Sequence, residues 1–223
     1  MQFNEAQIQA IQHNKGPCMV IAGPGSGKTT VLTHRVRYLI ERYGVNPSDI
    51  LVITFTKAAA EQMKLKFKGL SEGRSSAVTF GTFHAVFFTI LKAAYNYSAH
   101  CIIKPQIQHE FVKDQLCRLE LEYDDEKEAV AGVLSEISRV KGEAVNIDEY
   151  ESRSIPPQSF RMIYRAYDDM LLRKHLIDFD DMIVLCRDLL MQREDYRRAW
   201  QNKYKYILID EFQDINKAQF DVV

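Results

Sequence analysis

The sequence predicts an α/β protein: a parallel sheet flanked by helices, with an all-helical subdomain inserted into it. Three observations carry this. Apolar runs of strand length alternate with helix-period segments in the first half of the chain. The strand pattern then disappears from about residue 96 to 204. It returns at Tyr206-Ile207-Leu208-Ile209. Strands alternating with helices imply parallel βαβ units, and the strandless stretch interrupts that α/β pattern.

Each element has its own reason. Residues 17–22, Pro-Cys-Met-Val-Ile-Ala, form a short apolar run that enters a glycine cluster and read as a strand. From Lys28, apolar residues recur at Val31, Leu32, Val36, Leu39 and Ile40, which is helical spacing, with Gly44 as the C-cap. Ile50-Leu51-Val52-Ile53 reads as a buried strand. Residues 57–69 read as a helix with a Lys-rich face that ends at Gly69, and 71–76 as a turn-rich loop. Val78-Thr79-Phe80 resembles a strand, followed by a helix over 83–95. Residues 105–121, 125–141, 158–174 and 179–192 are helix-like, with Ile155-Pro156-Pro157 as a break. The chain stops at Val223 within an apparent helix, so a piece of a longer protein is expected.

Composition narrows the class. The 223 residues are 46% hydrophobic and 26% charged, which excludes a disordered tail, a collagen-like fibre and a coiled-coil rod. Lys+Arg is 29 against 30 Asp+Glu, so any nucleic-acid site is a local groove and not a basic coat. Cys18, Cys101, Cys117 and Cys186 form no CxxC pair, which argues against a disulfide scaffold or a zinc ribbon and for reduced thiols in the cytoplasm. The N-terminus does not read as a secretory signal, and no apolar run approaches a membrane span.

Two segments carry chemistry. Ala22-Gly23-Pro24-Gly25-Ser26-Gly27-Lys28-Thr29 fits the Walker A pattern with Ala for the first Gly. Small residues let backbone N–H groups turn inward onto phosphate oxygens, and the following helix aims its positive end at them. Lys28 can reach the outer phosphates, and the Thr29 hydroxyl can ligand Mg2+. The run Ile207-Leu208-Ile209 ends in Asp210-Glu211. A parallel strand places both carboxylates at the carboxyl edge of the sheet, where α/β ligand sites lie. Asp210 can hold Mg2+ through its water shell, and Glu211 can orient and deprotonate an attacking water.

Asp210-Glu211-Phe212-Gln213-Asp214 resembles a motif of the UvrD/Rep-like superfamily 1 DNA helicases. Other segments agree in the family's order. Phe3-Asn4-Glu5-Ala6-Gln7 is similar to the adenine-reading Q motif, and Ala22 to Thr30 to the phosphate loop. Thr54-Phe55-Thr56-Lys57-Ala58-Ala59-Ala60 looks like motif Ia, in a form closer to the RecB/AddA-type branch. Gly81-Thr82-Phe83-His84 looks like motif Ib, and residues 177–181 resemble a further acidic segment.

The resemblance implies a first RecA-like lobe at 1–92 and 176–223, with a helical insertion subdomain at 93–175. It implies an ATP-driven 3′→5′ translocase on single-stranded DNA. Gln7 and the loop through Thr30 would bind ATP, and Gln213 would join Lys28, Asp210 and Glu211 in catalysis. Thr54, Phe55, Thr56, Lys57, Thr82, Phe83 and His84 would face DNA. A second lobe would supply arginine fingers, typically worth about 10³–10⁵ in rate, so residues 1–223 alone are expected to bind nucleotide weakly and hydrolyse little.

Blander readings stand beside these. Gln7 can be a surface residue at a helix start, Phe55 and Phe83 core, and His84 a structural histidine. Lys64, Lys66 and Lys68 can form a solvated helix face. Asp178, Asp180 and Asp181 can be helix-capping charges. A P-loop module that clamps DNA or a partner without hydrolysis, and a small-molecule kinase, are the competing functions.

Overall fold

The computed structural model describes residues 3–71 and 77–223. Beyond Ser71, the loop read at 71–76 lies outside the described residues. The chain runs α1 (Glu5–Gln12), α2 (Lys28–Tyr43), β1 (Ile50–Thr54), α3 (Lys57–Leu70), β2 (Thr79–Thr82) and α4 (Phe83–Tyr95). It continues through α5 (Pro105–Arg118), α6 (Glu126–Gly142), α7 (Pro157–Arg173) and α8 (Phe179–Gln192). α9 (Glu194–Lys203), β3 (Tyr206–Ile209) and α10 (Lys217–Phe220) complete it. The protein is mixed α/β, with a small parallel sheet flanked by helices.

Two compact units divide the chain: Met1–Ala85 with Arg193–Asp214, and Val86–Gln192 with Ile215–Val223. These limits differ from the 92/93 and 175/176 boundaries read from the sequence, and the first falls inside the continuous helix α4.

In the first unit the strand order is β2-β1-β3, all parallel. β1 is central, and its Ile-Leu-Val-Ile run is buried on both faces, as a parallel strand between two neighbours requires. On one face Ile50, Val52 and Leu208 pack against Val36 and Leu39 of α2 and Met63 and Phe67 of α3. Each such side chain contributes about 1.5–3 kcal/mol by leaving water. α2 ends at Gly44 (φ +65), and the Val45 N–H reaches back to the Leu39 carbonyl at 3.1 Å. That closure needs a left-handed residue, and glycine adopts it without a Cβ clash. α3 is capped by Thr56 Oγ1, which accepts from the Ala59 N–H.

One expected strand is absent. Among the described residues, 17–22 is in no strand, and Met19, Val20 and Ile21 are 70%, 52% and 92% exposed. Apolarity alone does not make a strand; a ladder needs donors in register. Gly16 turns the chain at φ +81, and Pro17 has no N–H to give.

The second unit is helical among its described residues, apart from an isolated bridge between Ile102 and Ile177. α7 buries Phe160, Ile163, Tyr167, Met170 and Leu171, one stripe at helical spacing. That stripe packs with Val112 and Leu116 of α5 and with Val133, Ile137 and Val140 of α6. Pro105 and Pro157 open their helices at the position where a missing N–H costs nothing. Glu136 Oε1 accepts from the N–H groups of Arg153 and Ser154 and from Ser154 Oγ, each at 2.9 Å, and so ties the loop before α7 to α6.

α8 begins with a reciprocal cap: Asp178 Oδ1 accepts from the Asp181 N–H at 2.7 Å, and Asp181 Oδ2 from the Asp178 N–H at 3.1 Å. The capping reading of these two acids is correct. The Lys141 ammonium, 4% exposed, bonds Asp178 at 2.9 Å, Asp181 at 2.7 Å and Asp168 at 3.2 Å, and lies over the Tyr167 ring. Burial pulls the Lys141 pKa down, but the three carboxylates outweigh it and hold it above the ordinary lysine value. Burial, then the Asp178 charge, pushes Asp181 up to about 6.

Candidate active site

The glycine-rich turn ends where α2 begins. Gly25 (φ +75) and Gly27 (φ +85) occupy left-handed conformations that a side chain would strain. The Ser26 N–H donates to the Gly23 carbonyl at 3.3 Å, which folds the turn on itself. Lys28 and Thr29 are the first two residues of α2, so the orphan N–H groups of that helix open onto the turn. In the next turn of α2, Thr33 Oγ1 donates to the carbonyls of Thr29 and Thr30.

β3 delivers the acidic pair. The Asp210 N–H continues the β3–β1 ladder by donating to the Ile53 carbonyl at 3.0 Å. The next residue, Glu211, leaves the sheet at φ +52, and the Asp214 N–H closes a tight turn onto its carbonyl at 3.0 Å. This swing aims the Glu211 carboxylate at the phosphate loop. Lys28 Nζ lies 3.2 Å from Glu211 Oε2, and Gln213 Nε2 donates to the same oxygen at 2.7 Å. The Gln213 bond, then Lys28, holds the Glu211 pKa below the usual carboxylate value. Asp210 moves the other way: burial and then the Glu211 charge raise its pKa, against the pull of Lys28. The surroundings thus shift two adjacent carboxylates in opposite directions.

Gln7 reaches the same loop. Its Nε2 donates to the Ser26 carbonyl at 3.1 Å, while its Oε1 accepts from the Asn4 N–H at 3.0 Å. Asn4 Oδ1 accepts from the Gln7 N–H in return. This capping box fixes the start of α1. Arg35, with bonds to the Ala10 and His13 carbonyls, ties the end of α1 to α2. The Asn-x-x-Gln spacing was the available sign of the box; nothing local marked Arg35.

Hydrogen bonds join Gln7 to Ser26, and Lys28 and Gln213 to Glu211. Among the described residues, none joins Thr29 to Asp210. Their donor set, one hydroxyl and one carboxylate, suits Mg2+, which takes hard oxygens, keeps several waters and uses few protein ligands.

The residues expected to face DNA divide in two. β1 and β2 end at Thr54 and Thr82, on the same carboxyl edge of the parallel sheet as Asp210. Phe55 is half-buried, Lys57 and Thr56 are exposed, and Thr82 Oγ1 accepts from the Ala85 N–H. His84 is half-buried, and burial lowers its pKa. Thr54 and Phe83 need correcting: each is only 1% exposed. Thr54 donates to the Thr56 carbonyl, and Phe83 meets Phe55 edge-to-face at 5.6 Å. A base cannot stack on a ring whose faces are covered, so Phe83 is core and supports Phe55.

A glycine-rich turn opening a helix beside a parallel sheet, with a strand-end carboxylate facing its lysine, defines the phosphate-loop α/β class. The comparisons with known proteins are narrower. Residues 3–223 match the model of the UvrD/REP helicase N-terminal domain, and the chain belongs to that family. It is 33% identical over 229 residues to a probable DNA helicase II homolog of Mycoplasma capricolum, covering 99% of this chain and 32% of that protein. It is 33% identical over 227 residues to the ATP-dependent DNA helicase PcrA of Staphylococcus epidermidis, covering 99% and 31%. It is 35% identical over 231 residues to the ATP-dependent DNA helicase Rep of Escherichia coli, covering 100% and 34%. The chain therefore spans about a third of the length of these relatives.

Proposed function

We propose that the full-length protein is an ATP-driven translocase and helicase acting 3′→5′ on single-stranded DNA in the cytoplasm. Residues 1–92 and 176–223 would form its first RecA-like lobe, with 93–175 as the helical insertion. A second RecA-like lobe would complete the ATP site with arginine fingers. The observation that carries this reading is the hydrogen-bonded row Lys28–Glu211–Gln213 at the sheet edge, next to the turn that opens α2.

In this reading Ala22, Gly23, Pro24, Gly25, Ser26 and Gly27 cradle the phosphates with backbone N–H groups, and Thr29 and Thr30 line the start of the helix. Lys28 neutralises charge on the outer phosphates. Thr29 and Asp210 hold Mg2+, which when bound neutralises phosphate charge. Glu211 is ionised at neutral pH, with Gln213 and Lys28 holding its pKa below the usual carboxylate value, so it is ready to orient and accept a proton from water. Gln213 keeps its carboxylate pointed. Gln7 reads the adenine edge and links it to the loop through Ser26. Phe55, Thr56, Lys57, Thr82 and His84 contact the strand. Such chemistry is mainly positioning and charge neutralisation, so this division of labour is sufficient.

The test is steady-state ATP hydrolysis by the full-length protein with and without single-stranded DNA, beside Glu211→Gln. The expected result is strong stimulation by DNA, lowered about 10²–10⁴-fold by the substitution, the usual contribution of a positioned base. Nucleotide binding with no DNA-stimulated turnover would overturn the motor in favour of a non-hydrolysing clamp.

A further inference from the structure

We propose that Arg35 and Tyr43 of α2 are positioning residues for base selection: they clamp the end of α1 and so hold the Gln7 amide where it meets the adenine edge. This rests on the adenine-reading role proposed for Gln7 above. Every contact involved lies within the first compact unit.

The first observation is how the end of α1 is satisfied. The last four carbonyls of a helix have no partner inside it. α1 has no basic residue in its last turn. α2 supplies the donors instead. One nitrogen of the Arg35 guanidinium, Nη1, donates to the Ala10 carbonyl at 3.1 Å and also to the His13 carbonyl. The Tyr43 hydroxyl donates to the Gln12 carbonyl at 2.8 Å. A cation at this end also complements the helix dipole. With eight residues, α1 is too short to hold its shape without such contacts.

The second observation is the place of Gln7 on that helix. Gln7, Ala10 and Ile11 stand at i, i+3 and i+4, so they share one face. Ala10 and Ile11 are buried with Val31 of α2. Gln7 Nε2 donates to the Ser26 carbonyl at 3.1 Å and lies 3.7 Å from where a Cβ on Gly27 would stand. This face of α1 is therefore fixed to α2 at two places, by Gln7 at the start of α2 and by the clamp further along it. Gln7 uses one N–H on Ser26 and one lone pair on the Asn4 N–H, which leaves one N–H and one lone pair. Adenine offers a donor beside an acceptor on one edge, whereas guanine offers two acceptors there. Only a held amide plane meets both adenine groups at once. A loosened α1 therefore loses adenine contacts and has none of that kind to lose with guanine.

The experiment measures kcat and KM for ATP and for GTP in the full-length protein at saturating single-stranded DNA. The variants are Arg35→Met, Arg35→Lys, Tyr43→Phe, Gln7→Ala, and Gln7→Ala combined with Arg35→Met. Arg35→Met keeps an apolar stem and removes the donors. It is expected to raise KM for ATP about two- to tenfold, the range of one hydrogen bond, with KM for GTP and kcat for ATP within about twofold of wild type. Both Arg35 bonds come from a single nitrogen, and an ammonium carries three N–H groups, so Arg35→Lys is expected to keep the wild-type KM. Because Arg35 acts through Gln7, the combined variant is expected to bind ATP no worse than Gln7→Ala alone, whereas a merely structural contribution would add to it. Where Arg35→Met does not fold, Tyr43→Phe carries the prediction: it removes one oxygen from an exposed residue and is expected to raise KM for ATP about twofold and leave KM for GTP alone.

An unchanged KM for ATP in Arg35→Met would overturn the proposal, as would equal rises for ATP and GTP, a loss that Arg35→Lys shares, or additive effects in the combined variant. In Tyr43→Phe, where it carries the test, an unchanged KM for ATP or an equal rise for GTP overturns it. A wild-type protein with no preference for ATP over GTP, or a preference insensitive to Gln7→Ala, would instead sink the role of Gln7 on which the proposal stands.

Discussion

Replacing Lys141 with Met removes one charge and leaves two buried ones without their partner. Asp178 is as buried as Lys141, with 4% of its side chain exposed, and Asp181 is 20% exposed. Asp168 is 44% exposed, so water screens it and its share is small. Breaking a buried pair from one side typically costs about 3–5 kcal/mol. The lower end applies here, because each carboxylate keeps the backbone N–H bond of the reciprocal cap.

The pH dependence gives a second check. The folded Asp181 value of about 6 lies above its ordinary unfolded value. The stabilisation linked to its proton is therefore complete below about pH 4 and is lost as pH rises through about 6. Without the Lys141 charge, Asp181 binds its proton more readily still in the folded state. The gap between variant and wild type should then shrink on acidification, by about 1.4 kcal/mol for each unit by which the Asp181 value rises. Urea unfolding followed by far-ultraviolet circular dichroism, at about pH 8 and about pH 5, measures both. A cost at the higher pH below about 1 kcal/mol, the scale of an exposed pair, would refute the reasoning, and so would a gap that widens toward acid.

Other perturbations separate the remaining roles. Phe83→Ala should cost about 3–5 kcal/mol in the same unfolding assay, as expected for a buried ring, and an unchanged midpoint would return Phe83 to the surface. Phe55→Ala in the full-length protein should weaken single-strand binding, read by fluorescence anisotropy, by the roughly 1–3 kcal/mol of one stacked base. Gln7→Ala should raise KM for ATP about two- to tenfold, the range of one hydrogen bond, while leaving KM for GTP unchanged; equal effects on both would remove adenine reading from its role.

What the sequence disclosed was local, and what it hid was not. The helix opened by Gly27 and closed at Gly44 was readable because both ends depend on residues within one turn of them. β1 was readable because burial on both faces demands an unbroken apolar run. The same criterion failed at 17–22, where apolarity is present but pairing is not, and pairing depends on residues far away in the chain. The phosphate loop and the carboxylate pair were visible as motifs. The bond from Gln7 to Ser26, the left-handed turn at Glu211 and the attachment of Lys141 to α8 were not, because each joins segments or conformations that no spacing rule connects. Thr54 and Phe83 were misread since a residue at a strand end can point into the core or out of it, and the sequence does not choose.

The sheet also constrains the order in which the protein can fold. Leu51 pairs with Thr79 on one side and with Ile207 on the other. The first pairing closes a short loop, whereas the second closes one of roughly 150 residues, whose entropy must be lost before the contact repays it. Phe160, Tyr167 and the side chains around them come from helices that are neighbours in sequence, so that core can assemble from nearby contacts. A chain growing from its N-terminus therefore makes β1, β2 and the helices α5 to α8 before it makes the strand that leads to Asp210 and Glu211. Asp210 and Glu211 are the last part of the candidate site to arrive, and until β3 docks, one edge of β1 is open to whatever other strand is at hand.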